Sequence, residues 1–177
     1  MGGWGRSTPG GTMDLTDTHT YGAPIDTVID MFADEAAVTA RYASMGHRDI
    51  EVLECERAED SLVVKTSRVV DVDLPGFAKK VLKPTNTMVQ TDHWTAGDDG
   101  AWDGTFQVEV AGSPVELSGR MRMTPDGERT DSTVTITMNV KVPLVGGKIA
   151  DWAGKNEVRT TLAAEFAAGD EWLAGRD

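Results

Sequence analysis

Residues 130–142 read TDSTVTITMNVKV. Val134, Ile136, Met138, Val140 and Val142 alternate there with Thr133, Thr135, Thr137, Asn139 and Lys141, the period of a strand with one covered face and one wet face. Upstream, residues 115–124 set Val115, Leu117, Met121 and Met123 against Glu116, Ser118, Arg120 and Arg122. Residues 101–110 likewise set Trp102, Phe106, Val108 and Val110 against Asp103, Thr105, Gln107 and Glu109. Gly112-Ser113-Pro114 and Pro125-Asp126-Gly127 separate the three runs, connections too short for a parallel crossover. A weaker strand over 86–94 and a hairpin over 49–56 and 61–71 precede them. The result is an antiparallel meander whose apolar face must be covered.

Two segments supply the cover. Near the start, alternation over 15–21 predicts a first strand, and Gly22-Ala23-Pro24 breaks it with a proline placed for a helix start. Ile25, Val28, Ile29 and Phe32 then recur at helical spacing, and Ala37, Val38 and Tyr42 continue it after the N-cap candidate Asp34. Two short helices meeting near Ala33-Asp34 are expected. At the other end, Pro143 ends the sheet and 145–174 reads as one long helix. Its period places Val145, Ile149, Ala153, Asn156, Thr160, Ala163 and Ala167 on one stripe. Small and polar residues facing Trp102, Phe106, Met121 and Met138 allow two arrangements, a very close helix–sheet approach or an internal cavity. Dense interior packing favours the first.

Composition bounds the function. The 177 residues are the length of one domain, and 17 Lys and Arg against 29 Asp and Glu leave a formal charge of −12, which opposes general nucleic-acid binding. A lone cysteine, Cys55, and the lack of an apolar run long enough to span a bilayer predict a soluble protein of a reducing compartment, the cytoplasm. Residues 1–12, rich in glycine and lacking the apolar core of a signal peptide, read as a disordered extension, with Met13 a possible initiator and 13–177 as a single domain.

The order of elements resembles the helix-grip fold of the START-like superfamily, which includes polyketide cyclases, pollen-allergen proteins and lipid-transfer domains. The passage Tyr21-Gly22-Ala23-Pro24-Ile25-Asp26-Thr27-Val28, followed by Phe32-Ala33-Asp34, is similar to that superfamily's opening. His93-Trp94, Gly112-Ser113-Pro114-Val115, Gly119 and residues 142–148 resemble a family of START-like proteins of unestablished function. The resemblance implies an α+β fold with a curved antiparallel sheet of about seven strands wrapped around a long C-terminal helix. It also implies a cavity for a lipid, sterol or polyketide-like molecule. On that implication Trp102, Phe106, Met121, Met138, Asn156 and Thr160 are the expected ligand contacts, with methionines as an adaptable lining.

Other residues carry weaker chemical signals. Leu74-Pro75-Gly76-Phe77 through Pro84 is longer than a hairpin turn and holds Lys79, Lys80 and Lys83. Phe77, Val81 and Leu82 read as a lid, or equally as a short surface helix with solvated lysines; stable membrane anchoring is not expected at this net charge. His19, His47 and His93 lack metal-ligand spacing and read as surface or cap residues, so no metal or cofactor is expected. His93 is a weak candidate acid or base, and Cys55, on an acidic strand, reads as a passive thiol. The Gly146-Gly147 pair lacks phosphate-loop spacing and reads as a close approach of helix to sheet. The function expected is carriage or sensing of a hydrophobic small molecule. The alternatives are a cyclase or dehydratase-type enzyme, with His93 or Arg68 moving protons, and an interaction or stress protein with an incidental cavity.

Overall fold

In a computed structural model, residues 10–176 are described. Seven strands form one antiparallel sheet: β1 (Gly11–Tyr21), β2 (Arg48–Arg57), β3 (Ser61–Asp71), β4 (Thr85–Ala96), β5 (Trp102–Val110), β6 (Val115–Asp126) and β7 (Arg129–Val140). Their spatial order is β1-β7-β6-β5-β4-β3-β2, so six strands meander and the first strand closes against the last. The helices are α1 (Ile25–Phe32), α2 (Glu35–Ser44), α3 (Gly146–Ala153) and α4 (Arg159–Ala174), the last two joined through a π-helical turn, Gly154–Val158. This is the predicted helix-grip architecture.

Local chemistry accounts for the ends. Pro24 stands just before α1, and the Asp34 carboxylate accepts from the Ala37 amide at 3.0 Å, capping α2 as its sequence position implied. The strand faces follow the predicted alternation: Phe106, Val108, Met123, Val134, Met138 and Val140 are buried, whereas Asp103, Glu116, Arg122 and Thr133 are exposed. Gly146 starts α3 against β1, where an added Cβ would stand 2.8 Å from the Gly11 amide nitrogen. Close approach is therefore what this glycine serves.

Three boundaries differ from the sequence reading. Strand β1 begins at Gly11, because Gly11 and Thr12 continue the ladder opposite Val140 and Asn139; a partner strand ordered two residues that composition alone had set aside. The rest of the expected N-terminal extension, residues 1–9, lies outside the described residues. Strand β7 stops at Val140, and the β3–β4 connection is a series of turns packed by Leu74 and Ala78 against Ile149, Ala150 and Ala153.

The largest difference is the phase of the C-terminal helix. A π turn accommodates one residue more than an α turn, so every side chain beyond it is rotated by about 100° from an uninterrupted α-helical extrapolation. Ile149 and Ala153 face the sheet as expected, but beyond the π turn the inward stripe is Val158, Leu162 and Phe166, and Asn156, Thr160, Ala163 and Ala167 are exposed. Burying Leu162 and Phe166 rather than Thr160 and Ala163 contributes about 1.5–3 kcal/mol for each large side chain. The Asn156 amide has another role: its Nδ2 donates to the Trp152 carbonyl at 2.8 Å within the distorted turn.

Candidate functional site: a cavity between sheet and helix

Between the concave sheet face and α3–α4 lies a cavity of about 320 Å³. Phe106, Met121 and Met138, three of the six expected contacts, line it together with Val108, Leu117, Val134 and Ile136 from the sheet and Ile149, Leu162 and Phe166 from the helices. Gly46, Asp71 and Lys83 are exposed members of the lining, so the cavity meets solvent beside the β3–β4 loop.

Two aromatic rings of the cavity wall lie against glycines of the neighbouring strands. Trp94 is directly opposite Gly104, and Phe106 is directly opposite Gly119. A Cβ added at Gly104 would stand 2.8 Å from Trp94 Cδ2 and Cε3. One added at Gly119 would collide with the Phe106 ring and with the Thr135 carbonyl oxygen. Glycine lets each ring cover its strand instead of standing into the interior, and the ring shields the backbone that glycine exposes.

The other expected residues lie elsewhere. Trp102 shares the face of Phe106 but sits where β5 meets Ala96 and Met123, packed in the closed core rather than against the cavity. Asn156 and Thr160 point outward because of the π turn. Of the expected lid only Leu82, joined by Leu74, touches the cavity; Phe77 lies under the Lys148 ammonium, 4.2 Å from its ring centroid, and Val81 is exposed. His93 faces the opposite, outer side of the sheet, since neighbouring strand residues alternate and Trp94 takes the inner face. It cannot act on a molecule inside.

Of the polar end of the cavity, built by α2, the turn after it, β3 and β4, sequence reasoning named only Arg68, as a residue moving protons in the enzymatic alternative. Arg68, 6% exposed, extends its guanidinium over the Tyr42 ring at 4.0 Å. Its Nε donates to His47 Nδ1 at 3.1 Å, its Nη1 to Thr66 Oγ1 at 3.2 Å and its Nη2 to Gln90 Oε1 at 2.7 Å. Gln90 in turn donates to Asp92 Oδ1 at 2.9 Å. Burial, then the neighbouring Arg68 charge, pushes the His47 imidazole down to about 4. The ring is neutral near pH 7, and since Nδ1 accepts from Arg68, its proton resides on Nε2. His47 is thus a cavity residue and not the surface histidine expected. The only local clue was inward parity: Thr66, Arg68, Gln90 and Asp92 are polar residues on apolar faces.

Beside this end is a void of about 10 Å³ between Arg41, Asp92, Trp94 and Glu165, the size of one water. Arg41 Nε and Trp94 Nε1 are buried there without a hydrogen-bond partner. Loss of solvent pushes the Asp92 carboxyl up to about 6, with Gln90 opposing and Glu165 adding to the rise. Glu157, another lining residue, is also raised, by burial and then by Asp73. Burial raises the Cys55 thiol, helped by Glu35 and Asp34 and not by the acidic residues of its own strand, and its Sγ donates to the Ala33 carbonyl. His19 ties β1 to α4 through Asp170 at 2.9 Å and stacks on Phe166. Among the described residues no group of three or more metal-ligating side chains converges, and no helix is long and apolar enough to cross a membrane.

The same architecture recurs in solved proteins of low sequence identity. The ZhuI aromatase/cyclase from Streptomyces sp. R1128 is 20% identical with a TM-score of 0.60, the match covering 93% of this chain and 95% of that one. A Thermus thermophilus protein is 15% identical with a TM-score of 0.62, covering 93% and 100%. Norcoclaurine synthase from Thalictrum flavum, in complex with dopamine and hydroxybenzaldehyde, is 13% identical with a TM-score of 0.57, covering 100% and 96%. These likenesses establish the helix-grip fold. No curated protein sequence matches the chain. Residues 16–173 match the model of a protein family of unknown function, DUF2505, and the chain belongs to that family.

Proposed function

We propose that the protein binds a hydrophobic small molecule in the cavity between sheet and C-terminal helix, as a carrier or sensor. The observation that carries this reading is the cavity itself: about 320 Å³, within the range of small-molecule sites, apolar over most of its wall and polar at one end. Interiors otherwise pack too densely to leave such a space. The solved aromatase/cyclase and norcoclaurine synthase add support as proteins of this fold that act on small organic molecules.

The test is native mass spectrometry of the purified chain with organic extraction of what it retains, alongside uptake of a hydrophobic fluorescent dye. A stoichiometric adduct, or saturable dye uptake abolished in a folded Phe106→Arg variant, is expected. A protein that retains nothing and takes up no dye would overturn the reading.

An enzymatic reaction in the same cavity, of the cyclase or dehydratase type, is the second reading, and the Arg68–Gln90–Asp92 chain with its neutral His47 is the observation that favours it. Binding ranks first because those groups are already engaged with one another. Asp92, the carboxyl nearest to neutral titration, lines the water-sized void instead of the cavity. A retained molecule heavier by one water in His47→Gln than in the wild-type protein would reverse that ranking.

A further inference from the structure

The polar end of the cavity contains a buried cation whose charge has no direct counterpart. Arg68 is 94% buried, and the three groups that accept from it are an imidazole, a hydroxyl and a carboxamide. Among the described residues no carboxylate forms an ion pair with it. Asp92 is reached only through Gln90. Of the inward carboxylates, Asp92 and Glu165 border the small void with Arg41, and Glu165 and Glu157 line the main cavity.

A buried guanidinium is costly unless it is paired, and a planar fork of N–H groups matches a carboxylate in two-point geometry. Arg68 has more N–H groups than its three partners accept, and it lines the cavity beside His47, whose Nε2–H is a second donor. Most of the remaining wall, with Phe106, Val108, Leu117, Ile136, Met138 and Ile149, is apolar. A ligand with one apolar body and one anionic end satisfies both parts.

We propose that the occupant is a monocarboxylate amphiphile, its apolar body against the sheet wall and its carboxylate on the free N–H edge of Arg68. This rests on the reading of the cavity as a ligand site and specifies the class of ligand it takes. The source of the carboxylate, aliphatic or aromatic, is separated by the experiment.

Two matched pairs of probes serve, decanoate with 1-decanol and 2-naphthoate with 2-naphthylmethanol, titrated calorimetrically into the full-length protein near pH 7.5. Within at least one pair the acid should bind tenfold or more tightly than the alcohol, and the pair showing this identifies the body the cavity prefers. In Arg68→Met the preference should vanish while the alcohol still binds. Alcohols that bind as tightly as their acids to the wild-type protein overturn the carboxylate assignment and leave the cavity reading standing; this comparison needs no variant and holds even if Arg68→Met fails to fold. Failure of all four probes to bind, with no dye uptake, overturns both. An acid preference undiminished in folded Arg68→Met would also refute the role given to Arg68.

Discussion

Gly104→Ala probes how Trp94 is seated in the cavity wall. The new methyl carbon would stand 2.8 Å from two Trp94 ring atoms and 3.0 Å from Met121 Cε, whereas carbon atoms rest at roughly 3.5–4.0 Å. The methionine tip can swing aside. The Trp94 ring, 2% exposed and tilted against Phe32 at a centroid distance of 5.6 Å, must retreat by about an ångström toward the cavity or the small void. Overpacking of this kind costs about 1–3 kcal/mol. With a urea m-value of about 2 kcal/mol/M, a loss of about 2 kcal/mol moves the unfolding midpoint down by about 1 M, readily measured by far-ultraviolet circular dichroism. The decisive measurement is the double-mutant cycle. In a Trp94→Leu background the ring is gone, and Gly104→Ala should be neutral or slightly stabilising because alanine loses less chain entropy than glycine on folding. Additive losses in the two backgrounds would show that the ring is not why glycine occupies this position, and the account of how the ring is seated would fail with it.

Two further outcomes follow from the helix and the polar cluster. Because the π turn is a one-residue insertion, deleting Lys155 should convert it to α-helix while Ile149 and Ala153 stay in phase with Val158, Leu162 and Phe166; deleting Ala163 should instead turn Phe166 away from the core. The first variant is expected to melt within a few degrees of wild type and the second far lower, and equal losses would refute the phase argument. The pH dependence of stability separates two buried groups of opposite sign. His47 is pushed from 6.5 down to about 4 by burial and Arg68, so the unfolded chain binds the proton more tightly, and relative to His47→Gln the wild type should lose stability as pH falls across that window. Asp92 is pushed from 3.8 up to about 6, so the folded state holds its proton more tightly, and relative to Asp92→Asn the wild type should gain stability as pH falls from about 6 toward 4. Flat differences in urea midpoint across these windows would show that neither group is perturbed as the structure requires.

Much of the fold is written locally. Period-two alternation, such as Val134, Ile136, Met138 and Val140 against Thr133, Thr135, Thr137 and Asn139, depends only on successive side chains taking opposite faces, so strand identity and facing are readable before any partner is known. The Asp34 cap, Pro24 before α1 and the Gly146 approach are likewise contained within a few residues. Phe106, Met121 and Met138 reached the cavity because parity alone puts them on the covered face.

Trp102 shows where parity stops: it gives a face but not a depth, and only the packing of helices over the sheet separates closed core from cavity. The π turn shows the same limit along the helix. Val158, Leu162 and Phe166 recur at helical spacing with more apolar bulk than Thr160, Ala163 and Ala167, a signal present in the sequence. Its place in the fold nevertheless depends on a backbone distortion that lets that bulkier stripe meet the sheet. Of the polar cluster only Arg68 was named from sequence, and its partners were out of reach, because Tyr42, His47, Thr66, Arg68 and Gln90 come from a helix, a turn and two strands and meet only in three dimensions. Sequence therefore determined which surfaces had to be buried, through propensities and periods that act over a few residues. Tertiary structure decided which of those surfaces touch one another and which enclose a space, because that choice is made by contacts between residues far apart in the chain.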